Sequence, residues 1–456
     1  MGFNSKEISL IAAEIIEKTF PEIDLNISIE KEEYSQRWKK VQEVMKQKGY
    51  DLGYACGSEL DRSDVAWLAG VFDPIIERYG ILIPQNGVPI VLAGSEGGHV
   101  LEEAVETSGA DIALLKELQI SDEDYRHAHF SELDGIIKKL DQKINKVVIF
   151  SSQEFIPLSQ VEIFQKKFGK ENVIFDPKML QLIKYEKSDK ELSIMSYANI
   201  IADAAFRGAL AVVKSGVTEL QVAGVADYIM KELGAGRIGF PTIVTSGQKR
   251  GYTVIGPATN NFLKEGDIVS IGLSPTFKGY HGIIRRTVKV GGNLTEMQQD
   301  FIKAVEGLYI TVIKAVKEAS LKNLPSNFVD QKGKEYLKEL KITSLSGEKI
   351  TPLEPYTFVH NSGCSECQEG YGAITPYTEN KLGEQVSLMV DVALLGFKER
   401  GKPLFDILYG VVEDAFWKKV TEVGVYNKLP LNVQHLVGNN NSLGENINSY
   451  YKKFSI

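Results

Sequence analysis

The stretch KEGDIVSIGLSPTFKGYHGIIRRTVKVGG, residues 264–292, constrains this chain more than any other. Successive side chains of a β-strand point to opposite faces, so two adjoining alternating runs mark a hairpin with two distinct faces. Asp267 to Pro275 alternates around Ile268, Ser270, Gly272 and Ser274, a turn follows at Lys278–Gly279, and Tyr280 to Val290 alternates again. The pattern puts Ser270, Gly272 and Ser274 on one face of the first strand, and His281, Ile283, Arg285 and Thr287 on one face of the second.

Around this hairpin the chain changes character once. DLGYACG (51–57), VPIVLAG (88–94) and KVVIFSS (146–152) read as strands and Ser131 to Leu140 as a helix, an alternation that indicates an α/β layer domain. Charge and polarity rise through MLQLIKYEKSDKE, and Ser188 with Glu191 forms a capping box that opens a long helix reaching Lys214. A second helix runs from Thr218 to Leu233, strands dominate from about 238 to 291, helices return from about 295 to 340, and strands resume after 355. These shifts divide the chain into a first domain over 1–182 and a second, mixed α+β domain over 183–456.

Composition excludes several function classes. The 52 basic and 60 acidic residues leave a net charge of −8, which argues against a broad basic face for nucleic acid. No run approaches the roughly 18 apolar residues of a membrane span, and the start MGFNSKEISLIAAEIIEKTF reads as an amphipathic helix rather than a signal. Three cysteines cannot build a disulfide framework, so the chain is expected to be cytoplasmic. The polar tail NNNSLGENINSYYKKFSI reads as a flexible end or a dimer arm.

The phrases LKEGDIVSI, GYHGIIRRT, FVHNSG and YGVVED, in that order and spacing, resemble the pita-bread hydrolases: methionine aminopeptidase, aminopeptidase P, prolidase and creatinase. The resemblance implies an α+β pita-bread catalytic domain preceded by an α/β creatinase-type N-terminal domain. It also implies a homodimer in which the N-terminal domain covers a neighbour's site. Cys56, in YACGSELDRSD, lies in the part of that domain that leads toward the active site in the family.

The family's peptidases hold two metal ions with two Asp, one His and two Glu. Carried over by the resemblance, the first Asp position falls on Gly272 and the second on Ile283. The His falls on His360, the first Glu on Val390 or, one residue on, Asp391, and the last Glu on Glu413. Gly and Ile carry no donor atom, and hard divalent cations need convergent oxygen or nitrogen ligands, so no dinuclear site is expected. Creatinase, which works without metal, uses a His and a Glu at positions occupied here by Val254 and Arg285, so that pattern is not met either.

The positions that lost acids gained Arg and His. This leads to the expectation of a divergent, metal-independent hydrolase acting on a C–N bond of a small carboxylate-bearing amide, amidino or amino-acid-like substrate. In it Arg285 and Arg250 hold the anion, because a guanidinium grips carboxylates in a planar fork. His360 moves a proton, with His281 as a second candidate, while Glu413 orients or assists. Tyr280 and Asp391 are further candidates to line the pocket, Tyr280 equally readable as a packing aromatic. The bland alternatives are that Arg285 and Arg286 pair with surface acids and that His360 merely bonds backbone. Cys364 and Cys367 form C-x-x-C; with His360 and His281 they form an alternative site for one soft metal. Two other functions stay open: an inactive member binding a peptide or small ligand, and an Xaa-Pro metallopeptidase with an unusual metal site.

Overall fold

The computed structural model describes residues 4–438 except 59, 73, 121–125, 127, 253–254 and 368, so Val254 and the tail from 439 lie outside the described residues. The chain forms two compact units.

The first unit covers Ser28–Tyr185 with a short return around Glu369 and Gly370. Its sheet holds strands β1 (Leu52–Gly57), β2 (Tyr79–Pro84), β3 (Ile90–Ala93), β4 (Asp111–Leu114), β5 (Val147–Ile149) and β6 (Val173–Phe175), in the order β4-β3-β2-β1-β5-β6. β2 pairs antiparallel with β1 and β3, while the β3–β4, β1–β5 and β5–β6 pairs are parallel. Every residue of β1 and β2 is buried, as expected of strands covered on both faces. Lys184 is wholly buried and fixes the return at Glu369: its Nζ lies 2.8 Å from Asp64 and 3.5 Å from Glu369. Burial pushes the Asp64 carboxyl up to about 6, against the pull of Lys184.

The second unit takes the rest of the chain, including residues 4–27. The helix Ser5–Thr19, placed in the first domain by sequence, thus clusters with the second unit, burying Ile8, Ile11, Ala12 and Ile15 on one face. The main sheet contains β7 (Ile243–Ser246) and β8 (Ile268–Leu273). After a two-strand ribbon of β9 (Thr276–Phe277) and β10 (Tyr280–His281) it continues with β11 (Ile284–Lys289). A second ribbon, β12 (Ile342–Thr343) with β13 (Lys349–Ile350), precedes β14 (Val359–Asn361) and β15 (Gln385–Leu395). A third, β16 (Phe397–Glu399) with β17 (Lys402–Pro403), precedes β18 (Tyr409–Lys419) and β19 (Glu422–Val425). The sheet order is β14-β15-β18-β11-β8-β7, with β19 on β18 and every pairing antiparallel.

Long helices accompany this sheet, and their starts follow from sequence. Ser188 with Glu191, Thr218 with Gln221 and Thr295 with Gln298 form capping boxes for the helices Asp189–Val212, Glu219–Glu232 and Glu296–Lys322. Each satisfies two backbone donors that a helix start otherwise leaves open, a contribution of roughly 1 kcal/mol per cap.

The hairpin departs from simple alternation at one point. Gly282 and Ile283 stand outside the strands, because the Ile283 N–H donates to Asn199 Oδ1 and its carbonyl accepts from Asn427 Nδ2. A side chain on Gly282 would press on the Ala198 backbone at 2.4 Å, so this break requires glycine. His281 therefore belongs to the small ribbon and does not share the strand face of Arg285 and Thr287. Among the described residues, no helix is long and apolar enough to cross a membrane.

Candidate active site

Cross-strand partners point to the same side of a sheet. Arg285 on β11 stands opposite Gly272 on β8 and opposite Glu413 on β18, and Glu413 in turn stands opposite Asp391 on β15. The register thus draws a row across the sheet: Gly272, Arg285, Glu413, Asp391. His360 on β14 pairs with Met389, which is two residues from Asp391 and shares its face. Of the two positions considered for the first Glu, Asp391 is the one opposite Glu413; Val390 pairs with Asp414.

The row closes into one network. Nη1 of Arg285 lies 3.4 Å from Asp391 Oδ2 and 3.5 Å from Glu413 Oε2, while Nη2 donates to the Tyr409 hydroxyl at 2.6 Å. Tyr356 donates to Asp391 Oδ1 at 2.9 Å, and the two tyrosine hydroxyls meet at 2.8 Å. On the other side, His360 Nε2 is 3.6 Å from Glu413 Oε1 and 3.9 Å from Glu366 Oε1. Gly272 makes the arrangement possible. A Cβ there would meet the Arg285 side chain at 2.9 Å, so the arginine fills the volume that a longer residue at 272 would claim.

Burial and crowding of like charge set the protonation states. Desolvation, reinforced by neighbouring Asp391, raises Glu413 to about 7 against the opposing pull of His360 and Arg285. Asp391 is also raised by burial, with Arg285 and His360 working against the rise. For His360, burial alone would lower the pKa, but the adjacent Glu413 carboxylate and the charges of Glu366 and Asp391 bring it up to about 9. Near neutral pH the imidazole is a cation, and Glu413 is poised to take or give a proton.

The metal-ligand test has a divided outcome. His360, Asp391 and Glu413 offer donor atoms within 4.8 Å of one another, and Glu413 Oε1 is buried without a hydrogen-bond partner. These features suit one cation at most. Gly272 contributes no donor, Ile283 commits its backbone to Asn199 and Asn427, and the Arg285 guanidinium stands against two of the three remaining donors. The residues present do not fit a two-metal centre.

The other expected site residues lie elsewhere. Arg250 already meets an acid: its Nε is 2.9 Å from the wholly buried Glu219, which also accepts from Ser246 and Thr259, and Nη2 donates to the Pro257 carbonyl. His281 meets Ser274 Oγ at 3.2 Å through Nδ1. Tyr280 donates its hydroxyl to Glu191 at 2.9 Å, in the cap of the helix Asp189–Val212. Cys56 sits in the core of the first unit, where burial pushes its thiol up to about 12. Cys364 is buried and Cys367 exposed, neither is in a disulfide, and no cysteine joins a metal-ligating cluster among the described residues. Arg286 does pair with an acid, Asp414, but both are fully buried rather than at a surface. Sequence reasoning missed Tyr356 and Tyr409; Tyr409 was signalled by opening YGVVED, where alternation puts it on the face of Glu413.

Comparison with known proteins fits this geometry. The model of metallopeptidase family M24 matches residues 193–380, which include His360 and end before Asp391 and Glu413. The Xaa-Pro dipeptidase of Pyrococcus horikoshii is 28% identical over 242 residues, 52% of this chain and 65% of that protein. The Xaa-Pro dipeptidase of Pyrococcus furiosus is 29% identical over 181 residues, 40% of this chain and 50% of that one. The matched segments thus span less than two thirds of either relative's length. In fold, the prolidase from Pyrococcus horikoshii aligns with 88% of this chain and all of its own at a TM-score of 0.67 and 21% identity. The chain has the pita-bread fold, and its residues 193–380 match metallopeptidase family M24. The X-Pro aminopeptidase from Thermotoga maritima shares the fold as well, with a TM-score of 0.66 and 19% identity over 87% of this chain and 99% of that one. The chain is therefore related to hydrolases of the Xaa-Pro dipeptidase and aminopeptidase P type.

Proposed function

We propose that this family member works without metal ions, as a hydrolase of a C–N bond in a small amide or short peptide. The observation that carries this reading is the Arg285 guanidinium, lying over Gly272 and between Asp391 and Glu413. A fixed positive charge there supplies electrostatic stabilisation that needs no bound ion. Glu413 accepts a proton from water as the water oxygen attacks the amide carbonyl. His360 gives a proton to the departing nitrogen as the C–N bond breaks, and Arg285 faces the negative charge that develops on the carbonyl oxygen. A carboxylate on the substrate is no longer required by this scheme, because Arg285 and Arg250 already meet carboxylates of the chain itself. The homodimer implied by the resemblance belongs to the same proposal, and light scattering tests it.

The deciding assay is hydrolysis of a panel of acylated amino acids and dipeptides in chelator. Turnover should persist there and disappear in His360→Ala and Glu413→Gln. Turnover that appears only with added Mn²⁺ or Co²⁺ sinks the proposal and supports a second reading, an Xaa-Pro peptidase using one ion at His360, Asp391 and Glu413. The convergence of those three donors favours that reading. A third reading, a ligand-binding member without turnover, draws on the engagement of Arg285 by two acids and two tyrosines. It is supported if no panel compound turns over while ligand affinity falls in both His360→Ala and Arg285→Ala.

A further inference from the structure

A cavity of about 410 Å³ opens against Tyr409 in the second unit and is not used by the chemistry above. Thr245 on β7 and Ser270 on β8 are cross-strand partners and line it with two hydroxyls. The two residues are 1% and 5% exposed, and neither hydroxyl has a hydrogen-bond partner among the described residues. Buried hydroxyls without partners are costly and uncommon, so a pair of them side by side on one cavity wall points to a ligand that bonds them.

The charge of that ligand follows from the rest of the lining. Glu265, Asp267 and Asp406 contribute three carboxylates, no Lys, Arg or His lines the cavity, and none of the three acids forms an ion pair with a described residue. The three do not converge: among the described residues only His360, Asp391 and Glu413 bring donor atoms within 4.8 Å of one another. A divalent ion needs several oxygens gathered at about 2.0–2.6 Å, so spread carboxylates suit a larger cation. Tyr409 also lines the cavity.

We propose that this cavity binds a small organic cation, a compact primary amine whose ammonium group donates to Ser270 and Thr245 while the three carboxylates balance its charge. Tyr409 ties the cavity to the neighbouring centre, since its hydroxyl accepts from Arg285 Nη2. The inference goes beyond the hydrolase reading and does not depend on turnover.

Calorimetric titration of the full chain with 1,4-diaminobutane, in chelator, tests it. Saturable binding at one molecule per chain is expected, with no binding of 1,4-butanediol or glutarate. Asp267→Asn and Asp406→Asn, both at solvent-accessible positions, should each weaken affinity about tenfold, equivalent to losing roughly 1.4 kcal/mol. Ser270→Ala should weaken it severalfold with the melting temperature kept. His360→Ala should leave diamine binding unchanged, so failure of the hydrolase reading and failure of this one can be told apart. The proposal is overturned if wild type does not bind the diamine, if the Asn variants bind it as well as wild type, or if the neutral diol binds equally. In a second titration without chelator, displacement of the diamine by stoichiometric Mn²⁺ would also overturn it, in favour of a metal site.

Discussion

Arg285 and Arg286 are neighbours in sequence, face opposite sides of one sheet, and meet the neighbouring acids Glu413 and Asp414. On the Arg286 side the contacts to the paired acid are short. Nη2 reaches Asp414 at 2.8 and 3.0 Å, Nε donates to the Pro430 carbonyl at 3.0 Å, Nη1 donates to the Glu413 carbonyl at 2.8 Å, and Tyr309 completes Asp414 at 2.6 Å. On the Arg285 side the charge contacts stretch to 3.4–3.5 Å, one Glu413 oxygen lacks a hydrogen bond, and the Glu413 carboxyl rises to about 7. A buried ion pair that serves the fold alone is saturated. The Arg285 pair sits in the same sheet with a similar Arg–carboxylate pairing and is left under-bonded, which supports the proposal that places the chemistry on that face.

The comparison can be broken most sharply at Arg286. Arg286→Met strands Asp414 in the core and should cost about 3–5 kcal/mol in urea unfolding, whereas Arg285→Met, whose acids can take up protons, should cost clearly less. Equal losses would erase the distinction. A smaller effect is expected at Gly272: Gly272→Ala should destabilise by about 1–3 kcal/mol through the clash with Arg285, and that loss should vanish in an Arg285→Ala background. Additive losses would show that the arginine does not fill that space. Tyr356→Phe removes one hydrogen bond to Asp391 and should cost about 0.5–1.5 kcal/mol, less than Tyr309→Phe, which takes a tyrosine hydroxyl from fully buried Asp414. The pH effect belongs to the Arg285 face. His360 is raised from 6.5 to about 9 in the fold, so its contribution is complete below about pH 6.5 and lost as pH rises through 9. Thermal melts across that window should fall for wild type and stay flatter for His360→Asn.

Much of the scaffold was legible because it rests on local rules. The alternation around Ile268 and Gly272 gave β8, the capping box at Ser188 gave the start of a long helix, and VPIVLAG gave β3. The break at Gly282 was not legible, since it depends on Asn199 and Asn427, 84 and 144 residues from Ile283. Loss of donors at Gly272 could be read from the chain through the family resemblance. That the missing volume is filled by Arg285 is a cross-strand fact, visible only once the register is known. For the same reason the partners of Arg250 and Arg285 were not legible: the sequence displays the arginines, and only the fold shows the carboxylates already facing them.

The most direct test of a guanidinium standing in for metal is elemental analysis of the chain isolated without chelator or added metal. The account predicts far less than one transition-metal ion per chain, unchanged in Asp391→Asn and Glu413→Gln. One or more ions per chain, lost in those two variants, would contradict it.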